Sequence, residues 1–337
     1  MKTSASALRG GLAMIVGSVL CAAAALVTTV ACSGGSTVGG DNDGGLGSSG
    51  SLGDGSLGIG DGGSSGEAGE GGVCTEFHVG GQDDPGIGGT AQTQVIAQSV
   101  ADIGGAAATQ VTAVTASCKK LATALSAPPA QQAQAEAVSD PTDKMNAWCD
   151  LAVSSVKAAI TTSGASINLV VAVSTYKLSV AAKGACQARC STTGKCDVTV
   201  NPMVCTGGTL ANGYCSGGKL EGGCMVDAKC DASCDVTVAA AAVCDPPTVA
   251  ANVTGGSNAA AAATLKAAIE ANLPAIIALK NHFDAEANES SVVGGVAGGI
   301  VDLKVSCIPL VVAAAEAANS EVSAGASATA KVLASLQ

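Results

Sequence analysis

Nine cysteines crowd into residues 186–244, and they fall into two units built around one identical pentapeptide. The first unit carries Cys186, Cys190, Cys196 and Cys205; the second carries Cys224, Cys230, Cys234 and Cys244, with Cys215 between them. Cys196–Val200 and Cys234–Val238 both read CDVTV, which makes an internal repeat with a spacing of 38 residues. Each copy has β-branched residues at alternating positions, so each is expected to be a strand. Before them, Ile167, Leu169, Val171 and Val173 alternate with less apolar residues, and Tyr176, Leu178 and Val180 follow after a polar break. Gly207-Gly208 and Gly222-Gly223 bracket a glycine-rich hairpin region. Residues 166–254 therefore read as a small antiparallel sheet stapled by disulfides.

Helical periodicity flanks this segment on both sides. Ala107, Val111, Val114, Cys118, Leu121 and Leu125 recur at spacings of four and three in a helix expected to begin at Thr90 and to end at Pro128-Pro129. A weaker helical stretch covers residues 130–138. Asp140 is placed to cap the next helix, with Pro141 at its first position and Gly164 as its stop. Met145, Trp148, Ala152, Val156 and Ile160 share its apolar face. Beyond Gly255-Gly256, Ser257 is the expected cap of a helix in which Leu265, Ile269, Leu273, Ile276, Leu279 and Phe283 line one side; Pro274 should kink or divide it. Residues 292–336 hold a last helix, interrupted by glycine pairs and Pro309. Its stripe is Val311, Ala315, Ala318, Val322, Ala326, Leu333 and Leu336. The expected fold class is α+β: an antiparallel Ala/Val-rich helical bundle with an inserted small disulfide-rich antiparallel β segment. Its parts are a helical pair at 74–165, the β segment at 166–254 and a second pair at 255–337. Only five residues are aromatic, so Ala and Val must fill the core, and disulfides offset the smaller apolar area each of them buries.

The N-terminus assigns a compartment. Lys2 and Arg9 precede an uncharged Ala/Val/Leu-rich run that reaches Ala31, the pattern of a secretory leader over residues 1–31. Val30-Ala31-Cys32-Ser33-Gly34-Gly35 resembles the lipobox of bacterial lipoproteins, although Thr29 stands where Leu is usual. That resemblance implies cleavage before Cys32, acylation of that cysteine as the new N-terminus, and a membrane partner held through several acyl chains. Ser33 in place of Asp points to the outer membrane. Residues 32–73 are nearly all Gly, Ser, Asp and Leu, a flexible tether whose forty-odd residues span roughly 35 Å. Matches to GxGxxG at 53–58 and GxSxG at 62–66 fall in this coil without the strand and helix that either motif needs, and Asp41-Asn42-Asp43-Gly44 lacks the later ligands of a calcium loop.

The net charge of −11 becomes −13 once Lys2 and Arg9 leave with the leader, which gives the chain no electrostatic grip on nucleic acid. With Cys21 in the leader and Cys32 acylated, thirteen cysteines remain as disulfide candidates: Cys74, Cys118, Cys149, Cys186, Cys190, Cys196, Cys205, Cys215, Cys224, Cys230, Cys234, Cys244 and Cys307. The number is odd, so one thiol is left over or bonded to another molecule. Cys118, Cys149 and Cys307 lie on apolar helix faces, where a buried inert thiol is the ordinary reading for one of them. Pairing is expected mostly within each repeat unit, with further bridges tying helices together. No CxxC occurs, which argues against zinc knuckles and against thioredoxin-like redox chemistry, so no metal or cofactor is expected. The two histidines, His78 and His282, are expected on a surface loop and a helix surface. No Ser, Asp or Glu nearby forms a nucleophile–base pattern, so no catalytic residue is assigned. Gly294/Gly298 and Gly295/Gly299 are spaced for close helix packing.

Taken with the anchor and the repeat, the chain resembles the uncharacterised cysteine-rich exported lipoproteins of the myxobacterial kind. The resemblance covers most of the sequence and implies location and architecture, with no activity attached. The expected function is a lipid-anchored cell-envelope protein, structural or interaction module, with its protein partner unknown. An envelope binder of an apolar small molecule or lipid is the alternative, and a hydrolase stands third.

Overall fold

The Thr90 hydroxyl accepts a hydrogen bond from the Thr93 amide (3.2 Å) and starts the first long helix, α1 (Ala91–Ala124). The structure, a computed structural model, describes residues 74–82, 85–172, 175–191, 194–244, 247–293 and 299–336. The leader, Cys32, the tether and its motif-like glycine runs lie outside the described residues, as do positions 294–298 of the glycine spacing. The stripe expected on α1 is the buried one: Ala107, Val111, Val114, Cys118 and Leu121 are core residues, and Leu125 packs against them. Pro129 opens the short α2 (Pro129–Glu136). Asp140 then caps α3 (Pro141–Ser163) by accepting from the Asp143 amide at 2.9 Å, and Gly164 ends it at φ +63°. Met145, Trp148, Ala152 and Val156 are buried on α3, with Ile160 packed beside them.

Two further helices complete the bundle. In α6 (Ala259–Val293), all six residues of the expected face are buried, from Leu265 to Phe283. Its N-terminal cap is Asn258, whose side chain accepts from the Ala261 amide (3.0 Å), and not Ser257. Pro274 does not divide α6; the helix continues through it, with Leu273 and Ile276 on either side fully buried in the core. Residues 259–283 are long and apolar enough to cross a membrane by length and composition, but this face is occupied by the protein's own core. The last helix, α7 (Ile308–Ala334), begins with Pro309 in its first turn, where a missing N–H costs nothing. Val311, Ala318, Val322 and Leu336 are buried as expected; Ala315, Ala326 and Leu333 are half-buried against the same clusters. α1 packs on α3, α6 and α7. Its later half shares one apolar core with α3, α6 and the end of α7. Its first half shares a second with Phe77, Ile87, Ile300, Leu303 and the start of α7.

The cysteine-rich segment holds small antiparallel sheets, as expected, and also two helices. β1 (Ala165–Ala172) pairs antiparallel with β8 (Thr248–Gly255) from Ala165↔Gly255 to Ala172↔Thr248. The intervening chain runs β2 (Tyr176–Ser179), α4 (Val180–Cys190), β3 (Met203–Thr206), β4 (Thr209–Ala211), β5 (Tyr214–Ser216), β6 (Lys219–Gly222), α5 (Ala228–Ala240) and β7 (Val243–Cys244). A four-stranded sheet has the order β4-β5-β2-β7, and β3 pairs with β6. The CDVTV expectation fails at both copies. In the first, Asp197 Oδ1 accepts from the Thr199 amide (2.9 Å) and hydroxyl (2.6 Å), a local closure that makes 196–200 a turn. In the second, Asp227 caps α5 by accepting from the Lys229 amide, and Cys234–Val238 is helical. Val180, expected to extend a strand, is instead the first residue of α4, because the Ser179 hydroxyl accepts from the Ala182 amide (3.2 Å).

Candidate functional site

The helices α4 and α5 face each other through matched side chains at a spacing of four. Cys186 and Cys190 project from one face of α4, and Cys230 and Cys234 from one face of α5. Cys186 bonds Cys234 and Cys190 bonds Cys230, so the hairpin is stapled twice. One step around, Lys183 is 1% exposed; its Nζ donates to Asp235 Oδ1 (2.7 Å) and to the Leu220 carbonyl (2.8 Å) and lies 3.5 Å from Asp231. Gln187 donates to Asp231 Oδ1 (2.8 Å) and accepts from the Cys224 amide (3.0 Å). The cross-links Cys196–Cys224 and Cys205–Cys215 add to this unit. Pairing therefore runs between the repeat units and into the hairpin region, not mainly within each unit. Two sulfurs one helical turn apart point the same way and meet the sulfurs of a facing helix.

The remaining bridges tie helices together. Cys118–Cys149 joins α1 to α3, and Cys74–Cys307 joins the start of the described chain to the residue that precedes α7. All three helical cysteines are thus cross-linked, and none is an inert thiol. The side chain of Cys244, the thirteenth, lies outside the described residues. Six disulfides among the described residues mark an oxidising, extracytoplasmic location. Two groups have metal-ligand spacing, Cys190/Cys230/Cys234 and Cys74/Glu76/Cys307, but each sulfur in them is spent in a disulfide and offers no thiolate. Lys304 binds Glu76 beside the second group and holds its carboxyl below the usual range.

His78 is exposed, as expected. His282 is not on a surface. It is 0% exposed, because the face of α6 that carries Leu279 and Phe283 is wide enough to take it inward. Its Nδ1 lies 3.2 Å from Glu286 Oε1, one turn on, and Gln110 of α1 donates to the same oxygen at 2.7 Å. Gln110 Oε1, both nitrogens of His282 and Glu286 Oε2 are buried without a hydrogen-bond partner. The spacing His282-x-x-x-Glu286 is visible in the sequence, but Gln110 lies too far away along the chain for any spacing rule to include it. Further along α1, Asp102 accepts from Gln98 (2.8 Å) and Thr237; burial, the largest influence, still pushes its carboxyl above the usual range. A surface depression of about 400 Å³ lies between α2 and α3, lined by Gln131, Gln134, Val138, Leu151 and Ser154 among others.

The cysteine-rich end carries most of the large exposed apolar side chains; Val301 and Val305, just ahead of α7, are the others among the described residues. On the four-stranded sheet, the paired row Thr209, Ser216, Lys177 and Val243 shares a face with Ala211, Tyr214 and Ser179. Val243 is 53% exposed and Tyr214 40%; Val200, Val204, Leu210 and Met225 are exposed on neighbouring turns and strands. Residues 166–254 have six Lys/Arg and six Asp/Glu, so all of the excess negative charge lies elsewhere. Comparisons with protein-family models, with curated proteins and with solved structures returned no match.

Proposed function

We propose that this chain is an interaction module of the bacterial cell envelope, of the kind suggested by its resemblance to myxobacterial exported lipoproteins. Acylated Cys32 would hold it in the outer membrane, and residues 32–73 would stand it away from the surface. The cysteine-rich end would then meet a protein partner through the outer face of its sheets. One observation carries this reading: uncharged, exposed apolar residues, with Tyr214 among them, are concentrated on the most heavily cross-linked part of the chain. Rigid apolar surface loses little entropy on binding, and a tyrosine adds contact area with a polar tip. A segment with no net charge also meets a partner without the repulsion that the acidic remainder would impose.

Two measurements test it. Intact mass of the native protein should fit a chain that begins at Cys32 with acyl groups attached; a chain that begins elsewhere or lacks acyl groups removes the anchor. A photo-cross-linking residue at Tyr214 in living cells should give a defined adduct, whereas the same residue at the exposed Thr161 of α3 should not. Equal labelling at both positions, or none at Tyr214, refutes the binding face.

A further inference from the structure

We propose that Gln110, His282 and Glu286 hold a divalent transition-metal ion between α1 and α6. The three side chains are 3%, 0% and 1% exposed, inside a core otherwise built from Ala, Val, Leu and Phe. A carboxylate at that depth carries a heavy desolvation penalty unless a cation or several donors face it. Here one N–H faces it, from Gln110, and that bond leaves Glu286 Oε2, Gln110 Oε1 and both imidazole nitrogens without partners. Buried polar atoms are nearly always paired, so four orphans in one place point to a missing group. What the three side chains share is lone pairs on a carboxylate oxygen, an amide oxygen and an imidazole nitrogen. A single cation answers those three lone pairs, while His282 Nε2, on the far side of the ring from Nδ1, needs a partner of its own.

The distances fit one ion. His282 Nδ1 and Glu286 Oε1 are 3.2 Å apart without hydrogen-bond direction. Two metal bonds of about 2.1 Å spanning that gap subtend about 100°, between tetrahedral and octahedral values. Turning over the Gln110 amide, whose oxygen and nitrogen have the same shape, brings its carbonyl oxygen to the position now 2.7 Å from Glu286 Oε1. That separation subtends about 80° with bonds of the same length, so His282 Nδ1 and the Gln110 amide each lie close enough to Glu286 Oε1 to share an ion with it. A nitrogen–oxygen donor set without sulfur suits zinc, cobalt or manganese.

The test uses the full-length protein with disulfides intact, accessible thiols alkylated, and metal stripped with chelator. Zinc should then bind at one equivalent by native mass spectrometry and raise Tm, and cobalt(II) should give a visible ligand-field band. His282→Gln should weaken binding at least tenfold and abolish the band. Gln110→Glu is the second variant, in case the first does not fold. With an ion present, the added carboxylate should tighten binding and increase the zinc-dependent rise in Tm. Without one, it sets two buried carboxylates side by side, and the protein should be destabilised whether or not zinc is added. No bound metal, or binding that ignores both substitutions, overturns the proposal and leaves a buried His–Glu pair with internal water.

Discussion

Gly325 of α7 faces the ring of Phe283, and replacing it should reverse the usual rule for helical glycines. A Cβ at residue 325 would lie 2.5 Å from both Cε1 and Cε2 of Phe283, and nearer still to Cζ, where ordinary contact is about 3.5–4.0 Å. Helix propensity alone makes Gly→Ala in a helix interior favourable by about 1 kcal/mol. The ring must give way by more than 1 Å, yet Phe283 is fully buried and both residues sit in close-packed surroundings. Overpacking of this kind costs about 1–3 kcal/mol and here falls at the upper end, so Gly325→Ala should lose about 1–2 kcal/mol net. Phe283→Leu removes the obstructing edge at its own cost of about 1–2 kcal/mol. In that background Gly325→Ala should become neutral or stabilising, which gives a coupling near 2 kcal/mol. Urea unfolding with disulfides intact, followed through the fluorescence of buried Trp148, the single tryptophan, measures each corner of the cycle. A Gly325→Ala protein more stable than its parent refutes the packing argument.

Removing the Cys118–Cys149 bridge with alanines at both positions frees a loop with a sequence separation of 31, and should cost about 3–4 kcal/mol by chain entropy, read from the urea midpoint under non-reducing conditions. Lys183→Met removes the hydrogen bonds that Nζ makes to Asp235 and to the Leu220 carbonyl and should cost about 2 kcal/mol; a Tm within 2 °C of the parent (on the order of 0.5 kcal/mol) would count against its role in joining α4 to α5. Asp102 titrates above the ordinary carboxylate range, so the folded state holds its proton more tightly than the unfolded state does. Its contribution is favourable at acid pH and is lost as pH rises through that raised value. Asp102→Asn should therefore raise Tm at pH 7.5, and the gain should shrink toward pH 4; an equal gain at both values would show that charge burial is not the cause.

The helical bundle was legible because its signals are local and redundant. Asp140, Pro141 and Gly164 punctuate α3, and the spacing from Leu265 to Phe283 marks the buried face of α6. The strands that CDVTV suggests do not form, because β-branched composition is a weak preference, which tertiary context overrides. The better signal lay beside it. Cys186/Cys190 and Cys230/Cys234 are each four residues apart, a helical spacing, and so are Lys183/Gln187 and Asp231/Asp235, which sit on the contacting faces of the same two helices. The sequence points His282 outward, because a lone polar residue on an amphipathic helix usually faces water. Its burial comes from the packing of α1 on α6, which also brings Gln110, 172 positions earlier, to Glu286 one turn beyond the histidine.

The bridge between Cys74 and Cys307 also decides how the molecule bears a load. A pull on the chain ahead of Cys74 crosses directly to the start of α7, because the two Cα atoms are 4.9 Å apart and joined through sulfur. Residues 75–306 form the interior of a closed covalent ring, and no tension between the chain ends can unspool them. Drawn taut from Cys74 to the C-terminus, the chain without the bridge would extend roughly 900 Å; with it, only the last helix can pay out, roughly 100 Å. The other helices and the cysteine-rich end therefore lie off the line of force between the chain ends, and a protein pulled by its two ends would yield first at α7 while the rest kept its shape.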